Sequence, residues 1–189
     1  MSAAQAKGDR IAEAKALKAA GYFYYAVSEY QRALDCFNRA LPIVRAAGNR
    51  EDEGEILNNI GATYKSLGEK RKALDFYNEA LTIRRALGDN GGEAHTLGNL
   101  GSVYSDLGEE QKALDFYTLA LPIYRAMGDQ AGEADTLNNF GFVYSHMNEQ
   151  QKSLDSFNQA LTIYRALGDR GHEAQTLNNL GFVYSALGE

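Results

Sequence analysis

The sequence predicts an all-α fold, a solenoid of antiparallel helix pairs stacked one on the next. Three observations predict it. A short signal recurs every forty residues, as Gly8-Asp9, Gly88-Asp89, Gly128-Asp129 and Gly168-Asp169, with Gly48-Asn49 as a close variant. A second string recurs in the same frame: Leu-Asn-Asn-Ile-Gly at 57–61, Leu-Gly-Asn-Leu-Gly at 97–101, Leu-Asn-Asn-Phe-Gly at 137–141 and Leu-Asn-Asn-Leu-Gly at 177–181. Between these marks the apolar residues fall at helical spacing, two stripes to a repeat. A fixed period of this kind marks units that bury a core only by stacking on their neighbours. The chain divides into four full repeats, 9–48, 49–88, 89–128 and 129–168, and half of a fifth, 169–189, read as a single array.

Each element has its own justification. In the third repeat Leu97, Leu100, Tyr104 and Leu107 make the stripe of a first helix; Ala113, Tyr117, Ala120 and Leu121 make that of a second. Gly108 lies between them, where a glycine ends a helix in the left-handed conformation. At the repeat junction Gly88 ends one helix and Asp89 caps the next. Asn148 stands in the inner glycine's place and tolerates the same conformation; Asn49 stands for the aspartate and still caps. Gly61, Gly101, Gly141 and Gly181 fall mid-helix, where glycine costs about 1 kcal/mol against alanine. Repeated in register, that cost implies close packing. Ala33, Ala73 and Ala113, then Ala40, Ala80, Ala120 and Ala160, serve the second helix in the same way. In the half repeat, Leu177, Leu180, Tyr184 and Leu187 have no second helix after them. Each then loses part of the roughly 1.5–3 kcal/mol that burial of an apolar side chain supplies. The expectation is that the natural protein continues, or that this helix docks on something, a second copy of the chain included.

Composition narrows the function. Of 189 residues 44% are hydrophobic and only two are proline, enough for a sizeable core. The net charge of −6 opposes a phosphate backbone, so nucleic acid is not an expected partner. No run of about 18 apolar residues exists to span a membrane. The first twenty residues carry too many charges for a secretory signal. A lone cysteine, Cys36, forms no internal disulfide and suits a reducing compartment, so the expected location is cytoplasmic. Cys36 aligns with Phe76, Phe116 and Ser156, which points to filling space. His95, His146 and His172 lie in different repeats without metal-ligand spacing, although His146 is expected near Asp106 or Asp135. Gly91-Gly92 lacks the lysine and hydroxyl of a phosphate loop. No catalytic residues, metal or cofactor are expected, and the chain is read as not an enzyme.

The pattern Leu97-x-x-Leu100-Gly101-x-x-Tyr104, followed by Gly108, Ala113, Tyr117 and Ala120, resembles the tetratricopeptide repeat. Its forty-residue period is similar to the long variant of kinesin light chains, of spindle-orientation scaffolds, and of bacterial arrays joined to a caspase-like (CHAT) domain. Two departures stand out. Leu57, Leu97 and Leu137 replace a frequent tryptophan, and Pro42 and Pro122 fall late inside second helices, where a kink is expected. The resemblance implies a right-handed superhelix whose first helices line a concave groove, and a function in holding another protein or an extended peptide. It also raises two alternatives, the sensing arm of a larger multidomain enzyme and a structural self-assembly module.

The first helices carry a second recurring stripe, and the resemblance places it in the groove. Its members are Lys15, Ala19, Tyr22 and Ala26; Glu55, Asn59, Ala62 and Ser66; His95, Asn99, Ser102 and Asp106; Asp135, Asn139, Phe142 and His146; and Gln175, Asn179, Phe182 and Ala186. The asparagine recurs at Asn59, Asn99, Asn139 and Asn179 although mid-helix asparagine is a poor helix former. An amide offers two donors and an acceptor, so a ladder of them either holds a peptide backbone or bonds a neighbouring helix. The varied members supply selectivity: Lys15, Lys18 and Lys65 with Tyr22 make the early groove partly basic. Asp106 and Asp135 make the later groove acidic, with His146 beside them and Phe142 and Phe182 as apolar contacts. A carboxylate clamp known in relatives is incomplete, because Ala19 stands for an asparagine and His95 for a lysine.

Overall fold

In the computed structural model the backbone is described over residues 3–187 and the side chains over 9–187. Among the described residues there are nine α-helices and no strand. They are α1 (Ala3–Ala26), α2 (Tyr30–Ala47), α3 (Arg50–Ser66), α4 (Lys70–Leu87), α5 (Asn90–Asp106), α6 (Glu110–Met127), α7 (Gln130–His146), α8 (Gln150–Leu167) and α9 (Arg170–Leu187). The residues group into two compact units, Met1–Thr96 and Leu97–Glu189, with the division inside α5.

The turns are built by two local devices. Between repeats, Gly48, Gly88, Gly128 and Gly168 adopt φ of 65° to 70°, open to glycine at no steric cost. The next residue then caps: Asn49 accepts from the Asp52 amide, and Asp89, Asp129 and Asp169 accept from Gly92, Gly132 and His172. Within repeats, Gly68 and Gly108 take the same conformation, Asn148 does so at φ 59°, and Ser28 does so at 61°. Neither proline breaks its helix: Pro42 lies inside α2 and Pro122 inside α6.

In the first unit α1 packs on α2, α2 on α3 and α3 on α4. Leu17, Phe37, Val44, Ile56, Leu57, Ile60 and Ile83 form its core. In the second, α6 packs on α7, α7 on α8 and α8 on α9, while α7 also touches α9. Tyr117 packs with Phe140 and Val143, and Phe157 with Leu180 and Val183. The mid-helix glycines have the packing reason expected of them. A Cβ on Gly61 would lie 2.8 Å from the Tyr77 ring, on Gly101 2.5 Å from Tyr117, and on Gly141 2.6 Å from Phe157. Gly21 faces Phe37 in the same way. Gly181 differs, with nothing within 4 Å.

First helices are buried on two sides, which a single stripe does not convey. Thr63, Val103 and Val143 are fully buried, whereas Leu107, expected in the core stripe, is exposed at its helix end, as is Leu67 at the matching position. In α9, Leu180 is buried against α8, contrary to expectation, but Leu177 is 44% exposed where Leu57 and Leu97 are at 0%. Two ion-pair motifs repeat. Across each junction Arg45, Arg85, Arg125 and Arg165 bind Glu53, Glu93, Glu133 and Glu173 at 2.7–2.8 Å. Inside repeats, Lys72, Lys112 and Lys152 pair with Glu69, Glu109 and Glu149 and lie over the rings of Tyr64, Tyr104 and Tyr144.

Candidate functional site

In the first unit the expected groove residues are largely tied to one another. Lys18 binds Asp52 and Glu55, so its charge is met within the protein. Burial pulls the Lys18 ammonium down, but the two carboxylates outweigh it and hold its pKa above the ordinary value. Tyr22 donates to Glu55, and the Asn59 amide donates to Tyr22 at 2.8 Å and to the Glu55 carbonyl at 2.8 Å. Burial, then the bond to Glu55, pushes the Tyr22 phenol up to about 12. Both Asn59 hydrogens are thereby used. Lys15 and His95 are exposed and Lys65 is half-buried. A cavity of about 800 Å³ opens between α1 and α2, lined by Arg10, Pro42 and Ile43 among others, and holds none of the expected residues.

The second unit is different. A groove of about 210 Å³ is lined by Ser102, Ser105, Asp106, Tyr117, Asn138, Asn139, Phe142, Gln175 and Asn179. Here α5, α7 and α9 bring six members of the expected stripe together: Ser102, Asp106, Asn139, Phe142, Gln175 and Asn179. The Asn139 and Asn179 amides are half-buried and have no hydrogen-bond partner among the described residues. Phe142 is 46% exposed, its ring 4.2 Å from that of His146. His146 pairs with Glu110 at 3.1 Å, rather than with Asp106 or Asp135. Asp135 accepts from the Tyr164 hydroxyl at 2.7 Å, and burial together with that bond raises the Tyr164 pKa far above its usual value. Asn99 is half-buried on α5 and Phe182 is 69% exposed on α9, both outside the groove wall.

The structural amide weighed in the sequence exists one residue earlier in the chain. Asn58 accepts from Thr96 at 3.3 Å and Asn138 from Thr176 at 3.2 Å, each tying a first helix to the next one. In the second unit the Asn138-Asn139 doublet thus divides the two roles, the first amide bonding protein and the second left for the groove. Ser105 and Tyr117 also line the groove and were not singled out as site residues; Ser105 lies one helical turn beyond Ser102, the signal that was available. Among the described residues no helix is long and apolar enough to cross a membrane.

Solved structures share this fold at low identity. BtubC (BKLC) from P. vanneervenii is 24% identical with a TM-score of 0.71, over 97% of this chain and 85% of that one. A Rap protein complexed with competence and sporulation factor is 16% identical with a TM-score of 0.78, over 89% and 47%. A signal-transduction ATPase with numerous domains and a tetratricopeptide repeat sensor, from Pyrococcus horikoshii, is 16% identical with a TM-score of 0.84, over 94% and 28%. The chain therefore spans less than half of the last two proteins. No curated protein sequence matches it. The tetratricopeptide repeat family matches residues 12–86, 82–126 and 132–189, nearly the whole of the chain, and the chain belongs to that family.

Proposed function

We propose that the chain is a protein-interaction module that holds an extended peptide or protein segment in the groove of its second unit, without a catalytic step of its own. The observation that carries this reading is the pair Asn139 and Asn179. Both are half-buried over one groove, and neither amide is used within the described protein. Polar groups in such a place favour a ligand that supplies the missing bonds. Main-chain carbonyls and amides of an extended segment do so whatever its sequence. The Rap protein of similar fold was solved with competence and sporulation factor bound, which supports a holding role for the fold. Work inside the cytoplasm, with Cys36 reduced, completes the reading.

The test is a displayed library of random peptides about twelve residues long, panned against the whole chain. Synthetic peptides from the enriched pool should bind at least about tenfold more weakly to the Asn139→Ala/Asn179→Ala variant, which loses two amide bonds. Alanine is the better helix former, so the variant should melt no lower than wild type. Equal affinity for both proteins would remove the groove from the reading.

A second reading has support of its own, that the array is the sensing arm of a larger enzyme. The ATPase of similar fold carries a tetratricopeptide repeat sensor. The two readings part on whether an enriched peptide alters the turnover of the complete natural gene product. A caspase-like protease would show it in substrate cleavage.

A further inference from the structure

Resting on that groove reading, a more specific inference concerns the shape of the bound segment. We infer that the second unit takes a segment in the polyproline II conformation, with two large apolar side chains three residues apart, one on Phe142 and one on Phe182. On α7 and α9 the same pair recurs in register, an amide and, three residues on, a ring: Asn139 with Phe142, and Asn179 with Phe182. Residues three apart on a helix share a face, so each of these helices offers one amide and one ring side by side. Neither amide is used within the described protein. The rings are 46% and 69% exposed, although phenylalanine is ordinarily a core residue. Amides and rings together ask for a ligand with free main-chain groups on one side and apolar side chains on the other.

The spacing selects the conformation. Helix α7 touches α9, and packed helices lie about 8–10 Å apart. A polyproline II segment turns once every three residues and rises about 3.1 Å per residue, so its positions i and i+3 point the same way about 9 Å apart. A β-strand puts side chains on one face about 7 Å apart, at i and i+2, and turns its i+3 side chain the other way. An α-helix recovers the step at i and i+7, about 10.5 Å on, but its carbonyls are bonded internally and would leave both amides unmet. Polyproline II makes no hydrogen bonds of its own, so equivalent carbonyls of the segment meet Asn139 and Asn179 at the same step as the rings. A proline gives up its N–H but keeps that carbonyl, and the asparagine amides are donors for it. The conformation is largely set before binding, which lowers the entropy lost. The matching position on α5 is Ser102, a small polar residue, so the anchors number two.

The experiment uses the peptides enriched on the whole chain, measured by fluorescence anisotropy. The pool should share two large apolar residues three apart, with proline enriched over the starting library. Inserting one residue between the two should weaken binding to wild type about tenfold. On Phe142→Ser or Phe182→Ser the same insertion should cost less than about twofold, the signature of direct coupling. Both rings are exposed, so the serine variants should keep the wild-type far-ultraviolet circular dichroism. Glycine in place of the intervening prolines should weaken binding by loss of preorganisation; glycine peptides that bind equally well would overturn the polyproline II assignment. Peptides that lose affinity in the Asn139→Ala/Asn179→Ala variant, yet carry their apolar residues at i and i+2 or i and i+4, would overturn this inference and leave the groove reading standing. An insertion that costs the same on wild type and on both ring variants would overturn it too. Peptides indifferent to the Asn139→Ala/Asn179→Ala variant would remove both.

Discussion

A methyl group at Gly101 would sit 2.5 Å from a Tyr117 ring that is 2% exposed and has nowhere to go. Overpacking of this kind costs about 1–3 kcal/mol, against about 1 kcal/mol gained in helix propensity. Gly101→Ala should therefore lower the chemical-denaturation midpoint. Gly181→Ala should raise it, by about 0.5–1 kcal/mol, because nothing lies within 4 Å of the added carbon. Opposite signs for one substitution at matched positions is the expected outcome of paired urea titrations; equal signs would contradict the ring-on-glycine account. Ser105 offers a second test at this scale. Its buried, unpaired Oγ costs stability, so Ser105→Ala should stabilise the free protein by about 1 kcal/mol in the same titration. The mid-helix glycines were legible in sequence because their cost recurred in frame. The division of labour between Asn138 and Asn139 was not. Neighbouring helical residues point about 100° apart, and only the placement of Thr176 shows which amide meets protein.

Between helices the junction pairs differ in burial, and that ranks them. Glu53 is 3% exposed and binds both Arg45 and Arg50, whereas Glu133 is more open and binds Arg125. Glu53→Ala should cost about 2 kcal/mol, and Glu133→Ala less than about 1 kcal/mol, as read from denaturation midpoints. At the α8–α9 junction Glu173 is held below the ordinary carboxylate pKa by Arg165, against the opposing pull of burial, with help from Arg170. Asp169 is lowered by the His172 amide and ring. A lowered folded-state pKa adds stability that is complete above the unfolded carboxylate range and disappears as pH falls through the folded value. Glu173→Gln should flatten the acid limb of a melting-temperature profile and leave its neutral plateau with the smaller dependence on pH. The helix ends were legible because glycine followed by aspartate or asparagine is a local signal. The arginine and glutamate recur as plainly, but that a gap of eight residues closes through a left-handed glycine is a fact of turn geometry, not of spacing.

Among the described residues, α9 leaves Leu177, Tyr184 and Leu187 exposed along one face, with Phe182 exposed on another. Such a face favours association. The weight-average mass in sedimentation velocity should rise with concentration, and Leu177→Ser/Phe182→Ser should suppress the rise; a wild-type mass independent of concentration would show the face to be inert. The fold class was readable at this scale because every repeat reported it in one frame. Which of the recurring polar residues are already used was not, because Lys18, Tyr22 and Asn59 consume one another through Glu55, and sequence alone does not show that loss. The caps, the seated rings and the arginine–glutamate bonds all join residues at offsets that never vary. Excising 129–168 would thus bring Gly128 against Asp169 and Arg125 to Glu173, restoring the same joint from other copies. A gene of this design can shed or duplicate a whole cassette by recombination and still encode matching seams, so its length is free to drift while its parts stay interchangeable.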